Sequence, residues 1–132
     1  MLQPITKPLS RQLFEVAYPF DAYALGWYIA IRAGFHTDGA SIPRCLWSII
    51  GNPWQGAYLG PAIIHDALYQ SEATDRATAD ELLYSLLRAN SVGRCRAWII
   101  YRAVRAFGWA AWNNRNDADV ATAKQYVEVH HV

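Results

Sequence analysis

The chain has 132 residues, of which 53% are hydrophobic and 17% charged. That excludes a disordered segment and suits one domain spanning 1–132, able to bury a core without metal or disulfide support. A formal net charge of +1 supplies no global field, so no nucleic-acid partner is expected and charge alone does not drive binding to anionic lipid.

The N-terminal stretch MLQPITKPLSRQLF contains Pro4 and Pro8 and lacks the roughly 7–15-residue apolar run of a signal peptide. No segment reaches about 18 apolar residues without a charge, so no transmembrane segment is expected. LFEVAYPF (13–20) and WYIAIRAGF (27–35) are rich in aromatic and β-branched residues. Read with period 2, they predict two strands of an antiparallel hairpin, with DAYALG between them. TDGASIP (37–43) reads as an ordered turn, and RCLWSII as a short helix ending near Gly51, Asn52 and Pro53.

Three helices are predicted next. The first runs roughly from Gln55 to Tyr69, with Pro61 near its start or at a kink. The second starts after an N-cap at Thr74 or Asp75 and continues to about Asn90, the Thr78…Glu81 spacing offering a later capping box. The third runs from about Gly93 to Trp112. NNRND (113–117) is predicted as a loop, and QYVEVHHV (125–132) as a last strand added to the hairpin. The fold class is therefore α+β, with a small antiparallel sheet (the N-terminal hairpin plus the C-terminal strand) packed against three main helices.

The polar residues that interrupt apolar faces are the candidate site. In the first helix Ala62, Ile63, Ile64, Ala67 and Leu68 are apolar nearly all round, which predicts burial on most sides. His65 and Asp66 sit in its middle, with Tyr69 one turn after His65. On the second helix Ala79, Leu83, Leu86 and Leu87 share one arc, and Asp80 projects onto its edge. A carboxylate facing a core needs a partner. Arg76, at i−4, is the nearby structural candidate and His65 the distant functional one. Together His65, Asp66 and Asp80 supply a proton acceptor, a group to orient it and a spare carboxylate for a cation.

The stretch GFHTDGAS reads two ways. Asp38 can bond backbone amides of a tight turn in which Gly39 takes positive φ. Alternatively the loop turns its carbonyls and Asp38 toward the His-Asp helix as oxygen ligands for a hard cation. Thr37, Gly39 and Ser41 of this turn, with Arg76, stand as supporting residues. His36, His130 and His131 are not expected to be ligands. Arg94, Arg102 and Arg105 fall within about 80° of arc on the third helix, beside Trp98 and Trp109. They predict a solvated face of snorkelling arginines, with a stripe for phosphate-bearing surfaces as the alternative. Six Trp and eight Tyr are many for this length, and some can form a contact face. Cys45 and Cys95 are in no CxxC pattern; two buried free thiols are expected, one disulfide being the alternative.

Four ordered motifs, GFHTDGASIPRCLW, AIIHDALY, DRATADELLYSLL and YRAVRAFGW, resemble the signature of a domain family of unknown function from tailed bacteriophages and prophages. The resemblance covers about residues 10–112. It implies a phage-encoded protein, made in the host bacterial cytoplasm and available to a virion. More distantly, HDALY followed by AD on the next helix resembles the catalytic helix pair of the secreted phospholipases A2. That resemblance implies His65 as the base that activates water, Asp80 as the carboxylate orienting it, and Tyr69 as the tyrosine supporting the dyad. It also implies Asp66 as a Ca²⁺ ligand. Leu68 stands where those enzymes usually carry cysteine.

Two readings follow. One is a metal-assisted hydrolase of an ester or amide of the bacterial envelope, using His65, Asp80 and Tyr69. Its cation on Asp66 and Asp38 is Ca²⁺ in preference to Zn²⁺ or Mg²⁺. The other is a non-enzymatic virion or tail component, or a factor binding a phage or host protein, in which the cluster is structural.

Overall fold

In the computed structural model, residues 4–8, 14–37 and 56–132 are described. Among the described residues, two small antiparallel sheets and five α-helices make an α+β fold. The first sheet joins β1 (Thr6–Pro8), β2 (Phe14–Val16) and β5 (His36–Thr37) in the order β1-β2-β5. The second joins β3 (Phe20–Ala24), β4 (Trp27–Ile31) and β6 (Val127–His131) in the order β3-β4-β6.

The hairpin differs from the predicted one. Its strands are β3 and β4, paired from Phe20↔Ile31 to Ala24↔Trp27. DAYALG thus supplies most of a strand rather than a loop. Within it Phe20, Ala22 and Ala24 are half-buried while Asp21 and Tyr23 face water, the period of a one-sided strand. Leu25 (φ 50°) and Gly26 (φ 78°) make the turn, where two positive φ values match the right-handed twist of the flanking strands. Phe14–Val16 of the predicted first strand belong to the other sheet. The C-terminal strand does join the hairpin, pairing β6 with β4 from Trp27↔His131 to Ile31↔Val127.

A 3₁₀ turn at Gly56–Tyr58 leads into α1 (Leu59–Ser71). Pro61 lies in the first turn of α1, where its missing N–H costs no helical hydrogen bond. α2 (Arg76–Ala89) follows Asp75 as N-cap residue. The third helix is shorter than predicted: α3 (Arg94–Phe107) stops at Gly108, and α4 (Trp109–Asn114) follows. The predicted NNRND loop narrows to Arg115 and Asn116, between the end of α4 and the start of α5 (Asp117–Lys124). Asn116 caps α5, its side-chain oxygen accepting from the Asp119 N–H at 2.8 Å, an N-cap contact that the run of polar residues hides.

The core forms where α1 meets both sheets and α2. Val16, Ile29, Ile31 and Phe35 from the strands pack with Ile63, Ile64, Leu68, Leu82 and Leu86 from the helices. A second apolar cluster joins α2 to α3 through Leu83, Leu87, Ala97, Ile100 and Val104. α1 is buried from Leu59 to Tyr69, as its all-round apolar pattern predicts. Cys95 is a free thiol and exposed, so it is not the buried cysteine expected. Cys45, the TDGASIP turn beyond Thr37, the RCLWSII helix and the site candidates Asp38, Gly39 and Ser41 lie outside the described residues. Among the described residues no helix is long and apolar enough to cross a membrane.

Candidate functional site

Burying α1 on nearly all sides forces its two central polar residues to find partners inside the protein. Successive helical residues point about 100° apart, so His65 and Asp66 find theirs in different places. His65, 1% exposed, faces α2, and its Nε2 lies 2.7 Å from Asp80 Oδ1. Tyr69, one turn later on the same face, donates its hydroxyl to the same Asp80 oxygen at 2.6 Å. The Tyr69 ring is held in place, 4.3 Å from the His65 ring and perpendicular to Trp112 at 5.2 Å.

The second Asp80 oxygen takes guanidinium groups. Arg105 Nη1 of α3 donates to Oδ2 at 2.9 Å, and Arg76 Nη1 lies 3.5 Å from it. Arg76 also donates to the Val104 and Arg105 carbonyls, at 3.1 and 3.3 Å. These are among the last carbonyls of α3, where the helix end attracts a cation, and the Val104 carbonyl also accepts from the Gly108 N–H at 2.8 Å. Asp80, 0% exposed, is therefore the point at which α1, α2 and α3 are tied together.

Burial pushes the Asp80 carboxyl upward. The hydrogen bonds from His65, Tyr69 and Arg105, with the charge of His65, outweigh that and hold it below its ordinary value of 3.8. Asp80 is an anion at neutral pH. Tyr69 moves the other way: burial raises its hydroxyl above the ordinary 10.0, and the hydrogen bond to Asp80 raises it further. It stays a neutral donor.

Asp66 faces the first sheet. Thr37, itself buried at the end of β5, donates its hydroxyl to Asp66 Oδ2 at 2.6 Å. Gln70 Nε2 donates to the same oxygen at 3.3 Å. His65 and Asp66 each have a further partner beyond these. A cleft of about 300 Å³ opens beside Gln70, with Glu15, His36 and Tyr126 on its walls.

The structure therefore brings His65, Asp80, Tyr69 and Arg76 into one network and places Asp66 with Thr37 next to it. Both partners considered for Asp80 are used, the distant His65 and the nearby Arg76. Two contributors were missed. Arg105 does not share the solvated stripe of Arg94 and Arg102; it turns inward to Asp80. It lies one turn after the half-buried Tyr101, at the margin of the buried face. Gly108 is the other. A Cβ there would sit 2.5 Å from the Tyr69 hydroxyl and 3.3 Å from Arg76 Nη1, and would also meet the Val104 carbonyl. Only a residue without a side chain lets the end of α3 approach the network this closely. No motif marks it.

The remaining histidines sit at the surface, two of them beside carboxylates and His131 edge-on to Trp27 at 4.6 Å. His36 lies 3.1 Å from Glu15 and His130 2.6 Å from Glu128. Calcium takes six to eight oxygen ligands. The Thr37 hydroxyl is turned toward the Asp66 carboxylate as a donor, and Gln70 reaches the same oxygen through its amide nitrogen. Among the described residues no group of three or more His, Cys, Asp and Glu could hold an ion. The described residues alone do not form a calcium cage.

A family described as "Protein of unknown function (DUF1353)" matches residues 14–104. Two proteins of Sinorhizobium fredii (strain NBRC 101917 / NGR234) are similar. Uncharacterized protein y4jT is 38% identical over 101 residues, covering 74% of this chain and 30% of that protein. Uncharacterized protein y4iH is 33% identical over 100 residues, covering 75% of this chain and 41% of that protein. The chain thus aligns with less than half the length of either relative. No solved structure matches.

Proposed function

The chain belongs to the DUF1353 family, and we propose that it is a hydrolase of phage or prophage origin in which His65 is the general base. The observation that carries this reading is the shared Asp80 oxygen, 2.7 Å from His65 Nε2 and 2.6 Å from the Tyr69 hydroxyl. A carboxylate on one ring nitrogen selects the tautomer protonated there and leaves the lone pair on Nδ1. It also stabilises the imidazolium formed when that lone pair takes a proton from water. Tyr69, kept neutral, fixes the carboxylate without competing for the proton. General-base catalysis of this kind contributes typically about 10²–10⁴-fold. Four phage-type sequence motifs support the origin. The proposed substrate is an ester or amide of the bacterial envelope, and the proposed site of synthesis is the host cytoplasm, with incorporation into a virion as a later fate.

Calcium enters the proposal as a ligand of Asp66 and Asp38, ahead of Zn²⁺ and Mg²⁺. Since the described residues supply too few oxygens, no step above is routed through it. Calorimetric titration of Ca²⁺ into wild type and Asp66→Asn tests it. Binding that vanishes in the variant supports the ion, and no binding to wild type removes it.

One observation favours a second reading, a non-enzymatic virion or tail component or a host-protein-binding factor. His65 and Asp80 are almost wholly buried, and Asp80 also carries two guanidinium partners, as a network that only fixes helix packing would. The deciding experiment follows release of fatty acid from bacterial phospholipid vesicles, and of fragments from peptidoglycan, by wild type and His65→Ala. The hydrolase reading expects turnover that is lost in a variant still folded by circular dichroism. A wild type inert on both substrates sinks the envelope-hydrolase reading and leaves the structural one.

A further inference from the structure

Lined by none of the residues of the His65 network, a groove of about 420 Å³ lies along α2 and α3, with Leu25 of the β3–β4 turn at its edge. Its aromatic wall is Tyr84, Trp98 and Tyr101. Tyr84 is set edge-on to Trp98 (6.3 Å, 89°) and steeply tilted to Tyr101 (6.0 Å, 69°), while Trp98 and Tyr101 lie 5.4 Å apart. Trp98 is 53% exposed. A monomeric surface rarely leaves a ring of this size open beside two others without a use. The outer side of Trp98 is engaged by Arg102, whose guanidinium carbon is 5.9 Å from its centroid, which helps hold the indole in position.

The chemistry of the lining narrows the occupant. The indole N–H and the Arg88 guanidinium only donate, and the tyrosine hydroxyls donate readily. Such a wall suits a ligand rich in acceptors and poor in N–H groups. A proline-rich segment in the polyproline II conformation has that character: proline has no backbone N–H, its carbonyls point outward, and its rings fit between steeply set aromatic side chains. A sugar would bring many hydroxyls to a wall whose acceptors are Glu81, Ser85 and the two tyrosine hydroxyls, and any left unpaired would carry a desolvation cost. An anionic bilayer would meet the Glu81 carboxylate in the groove.

Charge sets direction and length. Glu81 and Arg88 also line the groove, and their seven-residue separation on α2 spans about 10 Å. One turn of polyproline II covers about 9 Å, so a basic residue beside Glu81 leaves roughly one turn of the ligand across the rings. We propose that this groove binds a proline-rich peptide segment carrying a lysine or arginine at the end that meets Glu81. This site is separate from the His65 network and does not depend on the hydrolase reading.

The test is calorimetry on the full chain with a short polyproline peptide bearing one terminal lysine, followed in parallel by the indole N–H resonances in NMR spectra. Saturable binding is expected, with a shift of the Trp98 resonance. Trp98→Ala should weaken it about tenfold or more, as loss of an aromatic anchor does. Trp109→Ala removes another exposed indole outside the groove and should leave affinity unchanged. Glu81→Lys, at an exposed position, should transfer the preference to the same peptide ending in glutamate. No saturable binding at millimolar peptide overturns the proposal, and so does binding that Trp98→Ala and Glu81→Lys leave untouched. Binding through Trp98 of an oligosaccharide or of phosphatidylglycerol vesicles, without binding of the peptide, overturns it as well.

Discussion

Asp66 and Asp80 are buried to nearly the same depth, 1% and 0% exposed, yet different kinds of donor hold them. Asp66 accepts from the Thr37 hydroxyl and the Gln70 amide, and so ties α1 to the first sheet. Asp80 accepts from the Tyr69 hydroxyl, pairs with His65, and faces Arg76 and Arg105, and so ties three helices together. The difference concerns what is stranded when a carboxylate is lost. At Asp66 the described donors are uncharged and can turn to water or to one another. At Asp80 two guanidinium groups and a buried imidazole lose their anion.

Asp80→Ala is therefore the largest effect expected. Removing one partner of a buried ionic network costs about 3–5 kcal/mol, read from the midpoint of urea unfolding. A loss below about 1 kcal/mol would break the contrast drawn above. The pH dependence sharpens it. Asp80's folded-state value lies below its ordinary 3.8, so its contribution is present above that pH. It is lost as pH falls below 3.8 and through the folded value. Wild type should lose this contribution on acidification, and the variant should have none to lose.

Gly108→Ala comes next. The added methyl would crowd the Val104 carbonyl and the Tyr69 hydroxyl, and relief by backbone shift typically costs about 1–3 kcal/mol. Because Tyr69 and Arg76 are the displaced neighbours, the Asp80 network should loosen with it. A destabilisation in Gly108→Ala that simply adds to that of Asp80→Ala would show that the two sites are independent; coupling predicts a double variant less damaged than the sum.

How far the sequence revealed these features depends on the range of the interaction behind each. His65, Asp66 and Asp80 stood out because polar residues interrupt apolar helical faces, a pattern carried by neighbours in the chain. β6 was legible from alternation alone. The hairpin was misread because Asp21 and Gly26 look like loop punctuation, although Asp21 is only the outward residue of a one-sided strand. α5 was hidden by polar residues that turn out to cap a helix. Arg105 owes its role to Asp80, 25 positions away, and Gly108 owes its role to Tyr69 and Arg76 on other helices, and local pattern does not carry that information.

Thr37→Val isolates the other carboxylate. It keeps the β-branched shape that β5 needs and removes the hydroxyl donating to Asp66 at 2.6 Å. A hydrogen bond to a charged group contributes about 1.5–3 kcal/mol, and the remaining Asp66 donors should hold the measured loss in urea unfolding near the bottom of that range. A cost equal to that of Asp80→Ala would erase the distinction between the two anions.

The smallest effect belongs to Tyr69→Phe, which deletes a single neutral donor from Asp80 while the imidazole and both guanidinium groups remain. About 1 kcal/mol is expected at neutral pH, because the ring and its packing on His65 and Trp112 survive. The alkaline limb distinguishes this from a generic packing defect. The folded-state value of Tyr69 is raised above 10.0, so its stabilisation is complete below pH 10.0. It falls as pH climbs from there toward the folded value, because the unfolded tyrosine ionises first. Wild type should therefore lose stability faster than Tyr69→Phe above pH 10.0, and the gap between their urea midpoints should narrow. Parallel curves across that range would mean that the hydroxyl is not held by Asp80 in solution, and the geometry assigned to the base and its orienting carboxylate would fall with it.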